Sequence, residues 1–288
     1  MPNADVILQS SDLVDFYVHR SVLIVSSPFF RDMFSLPQPS NDAVPNALPV
    51  VHLSEDAETL DSLISMLYPV PPEMPPSSDN VLALLAAAAK YDMDAVQSSI
   101  RVEIDRRGLL SSTPAELFRV YAVACSKGLI PEMESSARLT LAHPLTFESL
   151  GDALQSFEGR ALRDLADFRL RSIRDLKSNS ESFFKSLEGP SKIWARCPTA
   201  RRNGLPFWLE DCHWLSGLIS AYNDSLTETI PTDAQHCDKY LKALQAHVAN
   251  TGCNFCLMMH AQQGEKYCEK LKDVLAQVRN IPTLMLGG

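Results

Sequence analysis

Apolar and polar residues alternate at the start of this chain and then recur every three to four positions through most of the remainder. Asp5-Val6-Ile7-Leu8-Gln9 and Val14-Asp15-Phe16-Tyr17-Val18-His19 are short alternating runs split by the turn-prone Ser10-Ser11-Asp12, and they predict a β-hairpin. Ser21–Val25 and Pro28–Phe34 follow as two short helices. Ser27 is placed to cap the second, and Pro28 sits at its first position, where a missing N–H does no harm. Pro37, Pro39, Pro45 and Pro49 mark the stretch from Ser35 to Pro49 as a loop. Pro49-Val50-Val51-His52-Leu53 then reads as a third strand. Ser54, with Glu55, Asp56 and Glu58, gives a capped, acidic helix start, and Leu60, Leu63, Ile64 and Leu67 form one buried helix face.

Five prolines lie between Pro69 and Pro76. Two PxxP spacings, Pro69 to Pro72 and Pro72 to Pro75, have the form that docks in SH3-type grooves, but the default reading of such a run between helices is a stiff connector. The helix after it, Asp79–Lys90, is rich in alanine, and Ala86 to Ala89 let another helix pack very close. From Ser98 the period is helical almost to the end: Leu117, Val120, Tyr121, Ala124; then Met133, Ala137, Leu141; then Leu162, Leu165, Ala166, Arg169, Leu170, Ile173. Breaks fall near Pro131, Pro144, Gly189-Pro190 and Pro231, and no repeat of fixed period is evident. Strands first and helices afterwards is an α+β order, not the alternation that builds a parallel sheet. The expected fold class is therefore α+β: a short three-stranded sheet packed with helices over residues 1–110, then an all-α region over residues 111–288.

Charge sharpens this division. Residues 1–110 carry 15 acidic and 6 basic side chains, whereas the remainder carries 20 of each, so the net charge of −9 resides in the first part. That part is a poor match for phosphate backbones, and nucleic acid is an unexpected partner. Hydrophobic residues at 45% and charged residues at 21% are globular values. Residues 1–12 lack a basic start followed by an apolar run, and no window has the apolar length of a membrane span. The expected location is the cytoplasm or nucleus, with no membrane partner. Seven cysteines, six of them after residue 190, are read as reduced thiols.

The strings Asp5-Val6-Ile7-Leu8, Phe16-Tyr17-Val18-His19-Arg20-Ser21-Val22-Leu23 and Ser26-Ser27-Pro28-Phe29-Phe30-Arg31-Asp32-Met33-Phe34 resemble the opening of BTB/POZ domains. Leu60 to Tyr68 and Ala86-Ala87-Ala88-Ala89-Lys90-Tyr91 look like the family's later helices, and the resemblance spans about residues 4–107. The Leu36-Pro37-Gln38-Pro39 turn, the proline-rich insert and Lys90-Tyr91-Asp92-Met93 look most like BTB proteins of filamentous fungi. The resemblance implies a charged pocket near a dimer face, with Asp5, His19 and Arg20 as the binding candidates by motif; the alternative is an Asp5–Arg20 pair that only stabilises the fold, and the default reading of His19 taken by itself is a hydrogen-bonded structural histidine. It also implies homodimers or hetero-oligomers, co-repressor peptides or cullin scaffolds as partners. The chain departs from the pattern in beginning almost at the first strand, without the extension that long-form members exchange. It also lacks an obvious hydrophobic-x-Glu element after Phe34, so swapped dimers and cullin docking are less expected. Residues 111–185 occupy the place of a BACK-like helical segment, and residues 190–288 form a Cys- and Trp-containing one.

In that last segment Cys253-x-x-Cys256-x-x-x-His260 has the spacing of half a zinc site, with Cys237, His236 or Cys268 as a further ligand. Positions 253, 256, 260, 267, 268, 271 and 275 also follow a helical stripe, the default reading, under which no metal is expected. Cys212-His213 and His236-Cys237 are adjacent pairs of little weight. Trp194, Trp208, Trp214 and Phe207 are read as core, with partner anchoring as the alternative. Arg160, Arg163, Arg169, Arg171, Arg174 and Lys177 are balanced by Glu158, Asp164, Asp167 and Asp175, as on a solvated helix face. Arg201-Arg202 is too short for a localisation signal. Phosphate-loop, dinucleotide, HExxH and GxSxG signatures are missing, so the expectation is a non-enzymatic interaction module without cofactor, an oligomerising adaptor or scaffold. The alternatives are a cullin-type ubiquitin-ligase adaptor and a nuclear regulator with a zinc-stabilised C-terminal segment.

Overall fold

The computed structural model describes residues 3–36, 48–69, 74–108 and 113–186, with Asn223, Leu226, Thr229, Ile230, Lys242 and Ala246. The Pro37 to Pro45 loop, the middle of the proline-rich insert, and every Cys, Trp and His candidate beyond residue 190 lie outside the described residues. Strands β1 (Val6–Gln9) and β2 (Asp15–Val18) form the expected hairpin, and β3 (Val50–His52) pairs parallel to β1, giving a small mixed sheet of order β2-β1-β3. The alternation read from the sequence sets the faces: Val6, Leu8 and Val18 point to the core and are at most 2% exposed.

Helices α1 (Arg20–Ser26), α2 (Pro28–Ser35), α3 (Ala57–Ser65), α4 (Ser78–Lys90) and α5 (Asp94–Arg107) follow. Each begins or ends for a local reason. The Ser27 hydroxyl accepts the Phe30 N–H with Pro28 at the first position of α2, as the sequence predicts. Ser77 caps α4 in the same way, and α5 ends at Gly108, whose φ of 63° is the left-handed value a helix terminus needs. The cap of α3 differs from expectation. Asp56, not Ser54, accepts the Thr59 N–H at 2.8 Å, while the Ser54 hydroxyl is engaged by Lys90. Asp12, from the hairpin turn, accepts the Ala57 N–H at 2.9 Å. Its pKa is lowered, first by its hydrogen bond with Ser10.

Helix α4 is the centre of the packing. Val81, Leu82, Leu84, Leu85, Ala87 and Ala88 are all buried, and α3, α5 and α6 (Pro114–Lys127) pack against it, the alanines permitting the close approach. Arg107 fastens the end of the proline-rich connector, donating to the carbonyls of Met74 and Pro75. Pro75 itself is buried, so this end of the insert is packed structure and not a free PPII ligand.

Beyond α6, which ends at left-handed Gly128, lie α7 (Ile130–Thr140), α8 (Phe147–Leu150), a 3₁₀ turn and the long α9 (Gly159–Ser186). No strand returns among the described residues. The described residues form two compact units: those up to Ser136 with Asp152–Phe157, and Ala137–Gly151 with those from Glu158 onward. The first unit thus extends past residue 110 to take in α6 and most of α7.

In the second unit the buried stripe of α9 is Ala161, Leu165, Arg169, Ser172 and Leu176. Leu170, expected on that stripe, is 60% exposed. Arg169, on that stripe as expected and only 4% exposed, points inward and donates to the carbonyls of Thr140 and His143 at and just beyond the end of α7. The Thr140 carbonyl also accepts the His143 N–H at 3.0 Å, and a cation is favoured at that end of the α7 dipole. Arg169 is therefore structural, not part of a solvated face. Arg160 and Arg163 do pair with Asp164, at 3.7 Å and 3.0 Å, in the manner expected of an exposed face.

Candidate interaction surface

The elbow between α1 and α2 is where the sequence motif and the packing coincide. At Ser27 the chain becomes extended, with φ −145° and ψ 114°, because its hydroxyl must face the N-terminus of α2. The same hydroxyl donates to the Tyr91 carbonyl at 2.5 Å, so the elbow is anchored to the end of α4. Phe30 is 1% exposed and stacks on Tyr91 with centroids 5.1 Å apart; Phe29 lies 5.3 Å from both rings, and Phe34 lies 6.2 Å from Phe30. Aromatic pairs at these separations add attraction beyond their buried area. On this rigid support two apolar side chains flank the turn and face solvent: Val25 at 81% exposure and Phe29 at 39%.

Asp5, His19 and Arg20 meet at the junction of sheet and α1, but not as a simple ion pair. The Asp5 carboxylate accepts the backbone N–H of Arg20 at 2.7 Å, and the Arg20 guanidinium instead lies over the Phe34 ring, 5.0 Å from its centroid. His19 Nδ1 lies 3.0 Å from the Tyr68 hydroxyl, which also accepts the His19 backbone N–H at 3.1 Å. Asp5 thus ties the start of β1 to α1, His19 reaches Tyr68 beyond the end of α3, and Arg20 covers Phe34 of α2.

A second polar centre, missed by the sequence reading, joins the β3–α3 loop to α4. Glu55 receives Lys90 at 2.8 Å through one oxygen and the Tyr91 hydroxyl through the other, while Lys90 also donates to Ser54 at 2.6 Å. Burial pushes the Glu55 carboxyl up, but the bonds from Lys90 and Tyr91 outweigh it and leave its pKa below 4.5. Burial, reinforced by Glu55, pushes the Tyr91 hydroxyl above its usual 10.0. Contacts separated by 35 residues leave no local pattern to read. The acid side of this pair stabilises the fold above pH 4.5 and loses that contribution as pH falls through the lowered Glu55 value. The tyrosine side is complete below pH 10.0 and fades as pH rises toward its raised value. Tyr91→Phe should therefore cost about 1–2 kcal/mol in denaturant unfolding near neutrality. The difference from wild type should shrink below pH 4.5 and above pH 10.0; a pH-independent difference would remove this account.

At the end of α5, Arg106 and Arg107 hold the half-buried Glu103 carboxyl down to about 2. Among the described residues no His, Cys, Asp and Glu group has the makings of a metal site, and the zinc candidates Cys253, Cys256 and His260 lie outside them. No described helix is long and apolar enough to cross a membrane.

No curated protein matches the chain significantly. The family model that does match is that of the BTB/POZ domain, over residues 2–107, and such domains are typically non-catalytic modules for protein–protein interaction and oligomerisation. The elbow, the mixed sheet and the alanine-rich central helix are thus the parts of a BTB/POZ domain that this chain carries at residues 2–107, followed by helices α6 to α9.

Proposed function

We propose that this chain is a non-enzymatic adaptor whose BTB/POZ domain self-associates or engages a protein partner through the α1–α2 elbow. The observation that carries this reading is the exposure of Val25 and Phe29 on a turn fixed from behind by Ser27, Phe30 and Tyr91. Isolated exposed apolar residues are ordinary. These two instead sit on a support that loses little entropy on docking, because its side chains are already held. The excess of 15 acidic over 6 basic residues in residues 1–110 further favours a partner with basic groups around an apolar centre. Light scattering of the full chain on size exclusion should show a dimer or larger species, which Val25→Asp with Phe29→Asp reduces toward monomer. A wild-type chain that is monomeric at every concentration, and whose partners from pull-down are unchanged by the double substitution, would overturn the proposal.

A further inference from the structure

The sheet has a second face whose edge residues are exposed among the described residues, and its rows are fixed by the strand registers. Ile7 pairs with Tyr17 of β2 and with Val50 of β3, so Tyr17–Ile7–Val50 is one row across the three strands; Gln9 pairs with Asp15 and His52, giving the parallel row Asp15–Gln9–His52. The alternate residues Val6, Leu8 and Val18 occupy the core, which places these two rows on the outer face. Tyr17 is 49% exposed and Val50 43%, and Asp15 and His52 are exposed as well.

Each row is asymmetric in a complementary way: aromatic to small across one, carboxylate to imidazole across the other. Two such faces can be laid on each other by a two-fold axis in the plane of contact in two orientations. An axis perpendicular to the strands sets the apolar row on the polar row. An axis parallel to β1 exchanges β2 and β3, so that Tyr17 meets Val50 of the second copy, Asp15 meets its His52, and Ile7 and Gln9 each meet themselves. The second arrangement matches apolar with apolar and acid with imidazole at both ends, the self-complementarity an isologous contact requires. The geometry points to this sheet face as a self-association surface whose occupant is the same face of a second copy of this chain.

Its size sets its strength. At about 4.8 Å between strands and about 3.3 Å per residue, three short strands offer a footprint of the order of 150 Å². That is well below the ~800 Å² per partner of a standard stable interface. The contact is therefore a weak one, formed at high concentration or between copies already joined elsewhere, where local concentration favours it. With the elbow contact as well, two isologous surfaces on one chain generate assemblies larger than a dimer.

The test is sedimentation of the full-length chain across a wide concentration range, with the elbow intact and with Val25→Asp and Phe29→Asp so that the two contacts are read separately. His52→Asp places carboxylates opposite each other and should weaken the association constant about tenfold or more. Asp15→His, which removes the pairing, should also weaken it. The double exchange Asp15→His with His52→Asp restores the match and should return the constant to near wild type, while Tyr17→Lys abolishes the contact. All three substituted positions of the sheet face, Asp15, Tyr17 and His52, are exposed, so circular dichroism and thermal midpoint should stay close to wild type. An association constant that His52→Asp leaves unchanged, or that the double exchange does not recover, would overturn the inference, as would the absence of any concentration-dependent species in either background.

Discussion

Phe30→Ala should destabilise the folded chain by about 3–5 kcal/mol, the range for truncating a fully buried aromatic side chain. Phe30 is 1% exposed and is the ring through which α2 meets α4, stacked on Tyr91 and flanked by Phe29 and Phe34. Truncation removes the transfer free energy of the ring and leaves a void. The surrounding rings cannot fill it easily, because Tyr91 is held at its hydroxyl by Glu55 and at its carbonyl by Ser27. The collapse that softens many cavity mutants is therefore restricted here, which places the cost in the upper part of the range. Chemical denaturation of the full chain measures it. Phe30→Leu, which keeps most of the volume, should cost clearly less, and equal losses for the two variants would show that the site is not close-packed.

The second large effect is electrostatic. Glu132 of α7 is 5% exposed and meets Arg101 of α5 through one oxygen at 2.8 Å, while its other oxygen is buried without a hydrogen-bond partner. Arg101→Met removes this ion pair and leaves a carboxylate that is 5% exposed without its cation. Breaking a buried pair from one side costs about 3–5 kcal/mol, and because Arg101 is itself 39% exposed we expect less than the full amount, about 2–4 kcal/mol. Removing both partners, Arg101→Met with Glu132→Leu, should recover most of that loss, since two apolar groups of similar volume need no mutual neutralisation. A single substitution costing under about 1 kcal/mol would mean that solvent reaches Glu132 after all.

The local parts of the fold were readable from the sequence because their causes are local. The hairpin is in the alternation of residues 5–19, the Ser27 cap in its placement before Pro28, and the core stripe Leu117, Val120, Tyr121 and Ala124 in its spacing. What escaped involves partners far apart in the chain. Glu55 looks like one acid among several at a helix start until Lys90 and Tyr91 arrive from α4. Arg169 counts as one of six basic residues on a balanced helix, and only its bonds to the carbonyls of Thr140 and His143, 29 and 26 residues away, explain why a guanidinium is buried there. At the interaction surface the Ser-Pro-Phe-Phe motif located the elbow. It did not say which phenylalanine would be core: Phe30 is buried and Phe29 half-open because they are neighbours on a helix, about 100° apart around its axis.

The Ser27 hydroxyl, which accepts from Phe30 and donates to Tyr91, carries a single proton that is already committed. This reverses the usual ranking of residues at a helix start. A carboxylate is as good a cap as serine for an exposed helix and adds a favourable interaction with the dipole. At position 27 it would satisfy the Phe30 N–H while setting an anion against the lone pairs of the Tyr91 carbonyl. The hydroxyl works as a directional relay that lets the end of one helix and the start of another share one atom, and because Ser27 is fully buried both its chemistry and its size restrict what can replace it.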